Sequence, residues 1–203
     1  MPRPTLHDTE AVLDATRELI LDVGPRGTGI REISRRSGAP SGSLYHRFSS
    51  RDNLVALAWL RAVRRFQAGY VQALERPDPA DAIQEAIAWA VEYALREPHD
   101  TLLLLSHGQA DLLDGAPAAE TADQLAAVNQ RLERTLRALS RRLFASVAAP
   151  APALERVSYA VIDLPYAALR RHVLARTLSL RMIAPLQAAA LAIVTDRVGG
   201  RRR

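Results

Sequence analysis

The pattern that most restricts how this chain can fold is a pair of short helical segments joined by a glycine turn, within residues 28–53. Gly38 can adopt the left-handed backbone of a tight turn. Pro40 fits the start of the second segment, where its missing N–H has no helical partner to lose. Leu44 and Phe48 are then spaced to lie on the inner face of that segment. The spacing predicts a helix-turn-helix.

The segments on either side of this pair are also helical by pattern. Residues 9–23 repeat apolar side chains at helical spacing and end at Gly24, followed by a proline that cannot continue the helix. Thr28 is placed to cap the second helix with its hydroxyl group. Residues 49–52 have the S-x-x-D form of a capping box and precede a long helix that we expect to reach about Glu75.

The remainder of the chain shows one helical stripe after another and no strand-like alternation. The further predicted helices cover residues 81–96, 99–113, 119–144, 154–175 and 180–198. Residues 148–152, which are alanine and proline, predict a linker, and Pro165 is expected to interrupt its helix because it cannot donate to Val161. We therefore predict an all-α protein of about nine helices, divided into residues 1–55 and residues 56–203.

Charge favours an anionic partner for the amino-terminal part. All 27 basic residues are arginine, and residues 1–65 hold eleven of them against seven acidic residues. Residues 66–203 hold sixteen arginines against fifteen acidic residues, so they are almost neutral. A basic bias at one end is typical of a nucleic-acid-binding domain, although a solvated surface can have the same composition.

Several classes of protein are disfavoured by what the sequence lacks. With no cysteine, the chain has no disulfide, no thiolate metal site and no cysteine nucleophile. No apolar run approaches the roughly 20 residues of a membrane span, and the first residues have no apolar signal segment, so we expect a cytoplasmic protein. His107 and Asp111 share a helix face, but they supply two ligands where a metal site requires at least three. No nucleophile elbow, Walker loop or dinucleotide motif occurs, so we predict no catalytic residues, no cofactor, no metal and no enzyme.

The second helix of the pair has side chains suited to DNA. In a helix-turn-helix this helix enters the major groove while the first lies across the phosphate backbone. Gly42 permits close approach, serine hydroxyls can bond to bases or phosphates, and Tyr45 and His46 have polar tips on large side chains. Arg31 faces outward on the preceding helix. Thr28 and Arg51 are placed to bind phosphates on either side.

Residues 9–55 resemble the DNA-binding domain of the TetR family of transcriptional regulators. The matching features run without a gap from Gly24 and Thr28 through Ile30-Arg31-Glu32-Ile33, Gly38, Gly42-Ser43-Leu44-Tyr45 and Phe48 to Ser50-Arg51-Asp52 and Leu54. The resemblance implies DNA contacts at Thr28, Ser41, Gly42, Ser43, Tyr45, His46 and Arg51. Gly29, Pro40, Ser41 and Arg51 depart from the residues common in the family, so the operator sequence cannot be deduced from this helix.

The same resemblance implies that the carboxy-terminal part dimerises and binds a small apolar or amphipathic effector. The candidate effector residues are large amphipathic side chains on the middle helices: Trp59, Phe66, Trp89, Tyr93, His107, Asp111 and Tyr166. The candidate dimer residues are apolar positions on the last two long helices, which could form half of a symmetric four-helix bundle: Leu154, Val157, Val161, Leu164, Leu186, Ala189, Ala190 and Ile193.

We therefore expect a homodimeric regulator, a repressor that an effector releases from a double-stranded DNA operator. Two heads in successive major grooves must present their second helices about one DNA turn apart. An effector that prefers another head spacing would weaken binding through the fourth helix. The alternatives are an effector-independent regulator or activator, and a helical interaction or scaffold protein that has lost DNA binding.

Overall fold

The computed structural model describes residues 8–145 and 150–195. Within these ranges all secondary structure is helical, which confirms the predicted fold class. The amino-terminal helices are α1 (Thr9–Gly27), α2 (Ile30–Ser37), α3 (Ser41–Phe48) and α4 (Arg51–Leu74). They are followed by α5 (Pro79–Arg96), α6 (Pro98–Ser106), α7 (Gln109–Leu112), α8 (Ala119–Ala127) and α9 (Gln130–Leu143). The last are α10 (Pro150–Ser158), a π-helical segment (Tyr159–Asp163), α11 (Leu164–Leu174), a 3-10 turn (Leu180–Met182) and α12 (Ile183–Thr195).

All nine predicted helical regions are found among the described residues, and several are divided. The region predicted at 99–113 consists of α6 and α7, and that at 119–144 consists of α8 and α9. The linker predicted at 148–152 is wrong over its second half, because α10 begins at Pro150. Proline is tolerated in the first helical turn, where its missing N–H costs nothing. Residues 148 and 149, and the end of the last predicted helix beyond residue 195, lie outside the described ranges.

The chain divides into two compact units that do not follow the sequence order. The first unit contains residues 1–64 and 99–128, and the second contains residues 65–98 and 129–203. The segment from α6 to α8 therefore belongs to the same unit as the helix-turn-helix. The functional boundary expected at residue 55 stays a prediction, since compactness alone does not define where function divides.

In the first unit the amino-terminal helices enclose an apolar core. Val12, Ile33, Leu44 and Leu54 are completely inaccessible to solvent, and each comes from a different helix of the first four. A second cluster joins Ile20, Val55 and Ala62 to Leu103 and Leu112. Burial of each large aliphatic side chain contributes roughly 1.5–3 kcal/mol. Residues of α6 and α7 thus complete the core of the amino-terminal helices.

The end of α1 and the caps of the next helices differ in detail from the sequence expectation. Gly24 leaves the helical conformation with φ 76°, as its predicted stop requires, and one further turn follows it. Gly29, not Thr28, is the cap of α2, because the Thr28 hydroxyl donates to the Gly24 carbonyl at 2.9 Å. Ser50 caps α4 by accepting from the Asn53 amide at 3.1 Å, so the capping box predicted at residues 49–52 does not form.

A chain of ion pairs crosses the first unit. Asp100, at the start of α6, has a completely buried carboxylate that accepts from Arg17 Nη1 of α1 at 2.5 Å. Arg17 also lies 3.3 Å from Asp14, which accepts from Arg61 of α4 at 2.6 Å. Arg61 in turn donates to the Glu10 carboxylate at 2.9 Å. The network therefore connects three helices, and its most buried member is Asp100.

The second unit is built around α5. This helix packs against α12, α9, α11 and the π-helical segment, with Ile83, Ile87 and Val91 completely buried. Pro165 follows the π-helical segment and cannot give Val161 its regular α-helical hydrogen bond, so the predicted interruption takes the form of a widened turn. The Val161 carbonyl instead accepts from the hydroxyl of buried Tyr70. Burial raises the pKa of Tyr70, which keeps its hydroxyl protonated as a donor.

Trp89 of α5 leaves no room for a side chain at Gly69 of α4. A Cβ at residue 69 would overlap the Cζ2 atom of the Trp89 ring. The indole cannot easily retreat, because its Nε1 donates to the Phe66 carbonyl at 3.1 Å and its ring packs on Tyr93. We expect Gly69→Ala to lower the free energy of unfolding by about 1–3 kcal/mol through overpacking.

The matched control for this change is Gly42→Ala on α3, where a Cβ would meet open space. Because alanine is the better helix former, that variant should gain roughly 0.5–1 kcal/mol. Thermal and urea unfolding of the two variants measure the contrast. Equal stabilities of the two alanine variants would show that Trp89 does not constrain residue 69.

Candidate nucleic-acid interface

Helices α2 and α3 form the predicted helix-turn-helix. Gly38 closes α2 in the left-handed conformation with φ 73°, and buried Ala39 then leads through Pro40 into α3. The turn is tied by the Ser34 hydroxyl, which donates to the Ala39 carbonyl at 2.7 Å. Leu44 and Phe48 fix α3 to the core. The same packing therefore determines which face of α3 is exposed to solvent.

That opposite face is solvent-accessible and contains most of the residues predicted to touch DNA. Gly42, Tyr45 and His46 are exposed and lie one helical turn apart, which places them on one side of α3. Tyr45 is 56% exposed, unusually for a large aromatic side chain. Ser41 and Ser43 flank this side and are half-buried. The face offers hydroxyl and imidazole groups beside a glycine that leaves room for close approach.

Exposed arginines lie on the two helices that precede α3. Arg26, Arg31 and Arg35 are exposed, and within the described ranges none of the three has an ion pair or hydrogen bond. Arg36 is different, because it donates to Asp22 at 2.6 Å and is partly neutralised. Of these three arginines, sequence reasoning selected only Arg31. Arg26 on α1 and Arg35 on α2 add cationic groups and could have been found from the charge count.

Two of the predicted DNA contacts point inward. Thr28 is 1% exposed and its hydroxyl donates within the chain. Arg51 is only 17% exposed, and its guanidinium donates to the carbonyls of Thr28 and Leu112 at 3.1 and 3.2 Å and to that of Pro25. It also contacts Asp52. We therefore correct the expectation that these two side chains clamp phosphates, because their donors are used inside the domain.

The residues predicted to line an effector pocket are distributed over both units. In the first unit, Trp59 Nε1 donates to the His107 carbonyl at 3.3 Å, and Asp111 caps the start of α7 by accepting from the Gly108 amide at 3.1 Å. In the second unit, the Tyr93 ring contacts both the Phe66 ring and the Trp89 ring. Tyr166, also in the second unit, is 48% exposed. Three of the seven predicted effector residues, all aromatic, are therefore close together in the structure.

Arg96 adds a cation to this trio, which we call the aromatic cluster: Phe66, Trp89 and Tyr93. Its guanidinium carbon lies 4.9 Å from the Trp89 ring centre and 5.7 Å from that of Tyr93. Sequence reasoning did not include Arg96. Its position three residues after Tyr93 on α5 is the signal that would have found it.

The residues predicted to form a dimer interface fall into two groups. Val157, Val161 and Ala190 are completely buried within the chain, so their side chains cannot contact a partner, and we reassign them to its core. The remaining five are half-buried: Leu154, Leu164, Leu186, Ala189 and Ile193. Sequence reasoning missed three large exposed apolar residues of the same stretch, Tyr159, Leu174 and Leu180, and it assigned exposed Tyr166 to the effector pocket.

Comparison with known families identifies the amino-terminal helices. Residues 12–58 match the family described as bacterial regulatory proteins, tetR family. The chain carries a TetR-family DNA-binding domain. The match begins in α1 and ends in α4, so it contains the whole helix-turn-helix and confirms the resemblance seen in the sequence. No curated protein matches the sequence.

Solved structures extend this likeness from the TetR domain to nearly the whole chain. A TetR family transcription regulator from Marinobacter aquaeolei VT8 superposes with a TM-score of 0.73 at 16% identity, over 93% of this chain and 96% of that one. The regulator FadR from Bacillus subtilis, in complex with stearoyl-CoA, gives 0.71 at 10% identity, over 93% and 98%. PfmR from Thermus thermophilus gives 0.66 at 19% identity, over 95% and 98%. The fold is therefore that of TetR-family transcriptional regulators.

Two other kinds of site are absent from the described residues. Within the described residues there is no group of three or more histidine, aspartate or glutamate side chains that could hold a metal ion. Across the same residues, no helix combines the length and the apolar character needed to cross a bilayer.

Proposed function

We propose that this protein is a homodimeric repressor that binds a double-stranded DNA operator in the cytoplasm and is released by a small amphipathic effector. The observation that carries the proposal is the exposed face of α3, with Gly42, Tyr45 and His46 on one side, together with the exposed arginines Arg26, Arg31 and Arg35 on the two preceding helices. Phosphate contacts from arginines would supply affinity, and α3 would read base edges and groove shape. The role is regulatory and involves no catalysed reaction.

The experiment that tests DNA binding starts from a pool of random duplexes. Rounds of binding and amplification with the full chain should enrich a sequence with two-fold symmetry and half-sites about one helical turn apart. Affinity for that sequence should fall steeply as salt rises, because each neutralised phosphate releases counterions. Failure to enrich any sequence, together with no binding at low salt, would leave the scaffold alternative standing.

Dimerisation is supported by the distribution of exposed apolar side chains. Four of the seven large apolar residues that are exposed in the described chain lie between residues 159 and 180. This concentration of exposed apolar side chains in one stretch of the chain favours a contact with another protein. The half-buried residues Leu164, Leu186 and Ile193, together with Tyr159 and Tyr166, are our revised candidates for the contact.

We expect Tyr166→Arg to convert the dimer to a monomer at micromolar concentration, because the interface would have to bury an unpaired charge. Sedimentation velocity measures the change directly. Leu95→Arg is the control, since Leu95 is 41% exposed on α5 and lies outside the candidate surface. A Tyr166→Arg protein that sediments as the wild type does would remove this residue from the proposed interface.

The effector is proposed to bind at the aromatic cluster. Phe66, Trp89 and Tyr93 offer an apolar contact surface, and Arg96 offers a cation for an anionic head group. The stearoyl-CoA bound to FadR from Bacillus subtilis supports an anionic amphiphile as the first compound to try. Stearoyl-CoA should reduce operator binding by the wild type and not by Trp89→Leu. If it leaves both unaffected while DNA binding persists, the effector-independent alternative is favoured.

A further inference from the structure

The loop between α7 and α8 is held by three consecutive residues at the start of α4. Arg51, Asp52 and Asn53 each hydrogen-bond to the backbone of residues 112–118, which we call the clamp loop. We propose that the clamp loop positions the helix-turn-helix for DNA, so that these loop residues control operator affinity without touching DNA. The proposal rests on the DNA-binding function above and assigns it a positioning element from a distant part of the chain.

Arg51 connects the clamp loop to the corner that precedes α2. Its Nη1 donates to the Leu112 carbonyl at 3.2 Å and lies 3.4 Å from the Asp114 carboxylate. Its Nε donates to the Thr28 carbonyl at 3.1 Å, and its Nη2 donates to the Pro25 carbonyl. One guanidinium thus joins the loop to the last turn of α1 and to the residue that follows α1.

Asp52 and Asn53 hold the rest of the loop. Asp52 Oδ1 accepts from the Asp114 amide at 3.2 Å, and Asn53 Oδ1 accepts from the Ala118 amide at 3.1 Å. Asn53 is 6% exposed, so this bond is largely shielded from water. A buried amide that loses its acceptor is left unpaired, which destabilises the conformation that contains it. Both acceptors therefore contribute to keeping the loop in this conformation.

The orientation of α3 depends directly on the position of the start of α4. Only Ser49 and Ser50 separate α3 from α4, and Ser49 is in the left-handed region with φ 63°. So short and specific a connection leaves α3 little freedom to turn independently of the first turn of α4. Apolar packing also holds the clamp loop itself, because Leu112 at its start is buried with Ile20 and Val55. Displacing the loop would remove supports from both the start of α2 and the end of α3.

The experiment compares substitutions that remove the acceptors with substitutions that keep them. In the full chain, the pair Asp52→Ala and Asn53→Leu removes both acceptors, whereas Asp52→Asn and Asn53→Asp retain an oxygen at each position. Operator affinity, affinity for unrelated DNA, thermal stability and amide exchange are measured for each protein. Operator DNA is the duplex enriched with the wild type.

We expect the first pair to lower operator affinity at least about 10-fold while affinity for unrelated DNA changes by less than about 3-fold, because groove reading needs orientation and phosphate attraction does not. The conservative pair should restore most of the operator affinity. In the absence of DNA, the α3 amides should exchange with solvent faster in the Asp52→Ala and Asn53→Leu protein than in the wild type or the conservative pair.

Three outcomes would overturn the proposal. These are an operator affinity within about 2-fold of the wild type for the first pair, equal losses on operator and unrelated DNA, and unchanged exchange of the α3 amides. If the wild type binds no DNA, the proposed function fails, but the exchange measurement still tests whether the clamp loop positions α3. The two failures are therefore distinguishable.

Discussion

Asp100→Ala is expected to lower the free energy of unfolding by about 3 kcal/mol, because it leaves Arg17 largely buried without its principal partner. The carboxylate of Asp100 is completely inaccessible, and Arg17 retains 11% of its side-chain exposure. Asp14, at 3.3 Å from Arg17, compensates in part, which places the loss at the lower end of the range for broken buried pairs. Urea unfolding followed by far-UV circular dichroism measures the change.

An exposed ion pair in the same unit serves as the control. Arg36 and Asp22 are 2.6 Å apart but 36% and 56% exposed, so Arg36→Ala should cost at most about 1 kcal/mol. Replacing both buried partners, with Arg17→Met and Asp100→Leu together, should recover much of the loss, because no charge is then left unpaired. A loss below about 1 kcal/mol for Asp100→Ala would mean that the buried pair contributes little more than a surface pair.

Tyr45→Ala combined with His46→Ala is expected to reduce operator affinity at least about 100-fold. Each base or phosphate contact contributes about 1–3 kcal/mol, and a symmetric dimer loses every contact twice. Thermal stability should not change, because both side chains are exposed on α3. Fluorescence anisotropy with the selected duplex and with unrelated DNA measures the loss and its specificity.

His99→Ala is a suitable control for this variant, since His99 is exposed in the same unit but lies on α6. Tyr45→Phe separates the hydroxyl group from the ring, and should retain intermediate affinity if both contribute. Wild-type operator affinity in the double alanine variant would contradict the assignment of α3 as the DNA-reading helix.

The helices and their inward faces could be predicted from periodicity because each depends on residues three and four positions apart. Leu44 and Phe48, predicted as inward residues of α3, are buried in the structure. Tyr45 and His46, predicted to contact DNA because they have polar tips on large side chains, are both exposed. Local patterns therefore contained the shape of the helix-turn-helix and the identity of its accessible face.

Arg51 could not be placed from the sequence, because its surroundings come from residues about sixty positions further along. Nothing near residue 51 indicates that the Leu112 carbonyl and the Asp114 carboxylate will lie beside its guanidinium. The same limitation applies to Val157, Val161 and Ala190, whose apolar character fitted an interface as well as an interior. An apolar stripe on a helix indicates that this face is buried. It does not indicate whether the same chain or a partner chain buries it.

The hydrogen bond between the Tyr70 hydroxyl and the Val161 carbonyl joins residues 91 positions apart in the sequence, and Pro165 lies four residues after Val161. Phenylalanine at residue 70 would remove the donor from a carbonyl that Pro165 cannot serve. A residue other than proline at 165 would restore an N–H that could compete for the same carbonyl, and the tyrosine hydroxyl would then be superfluous. Among relatives that share this widened turn, tyrosine at the first position and proline at the second should therefore be gained and lost together.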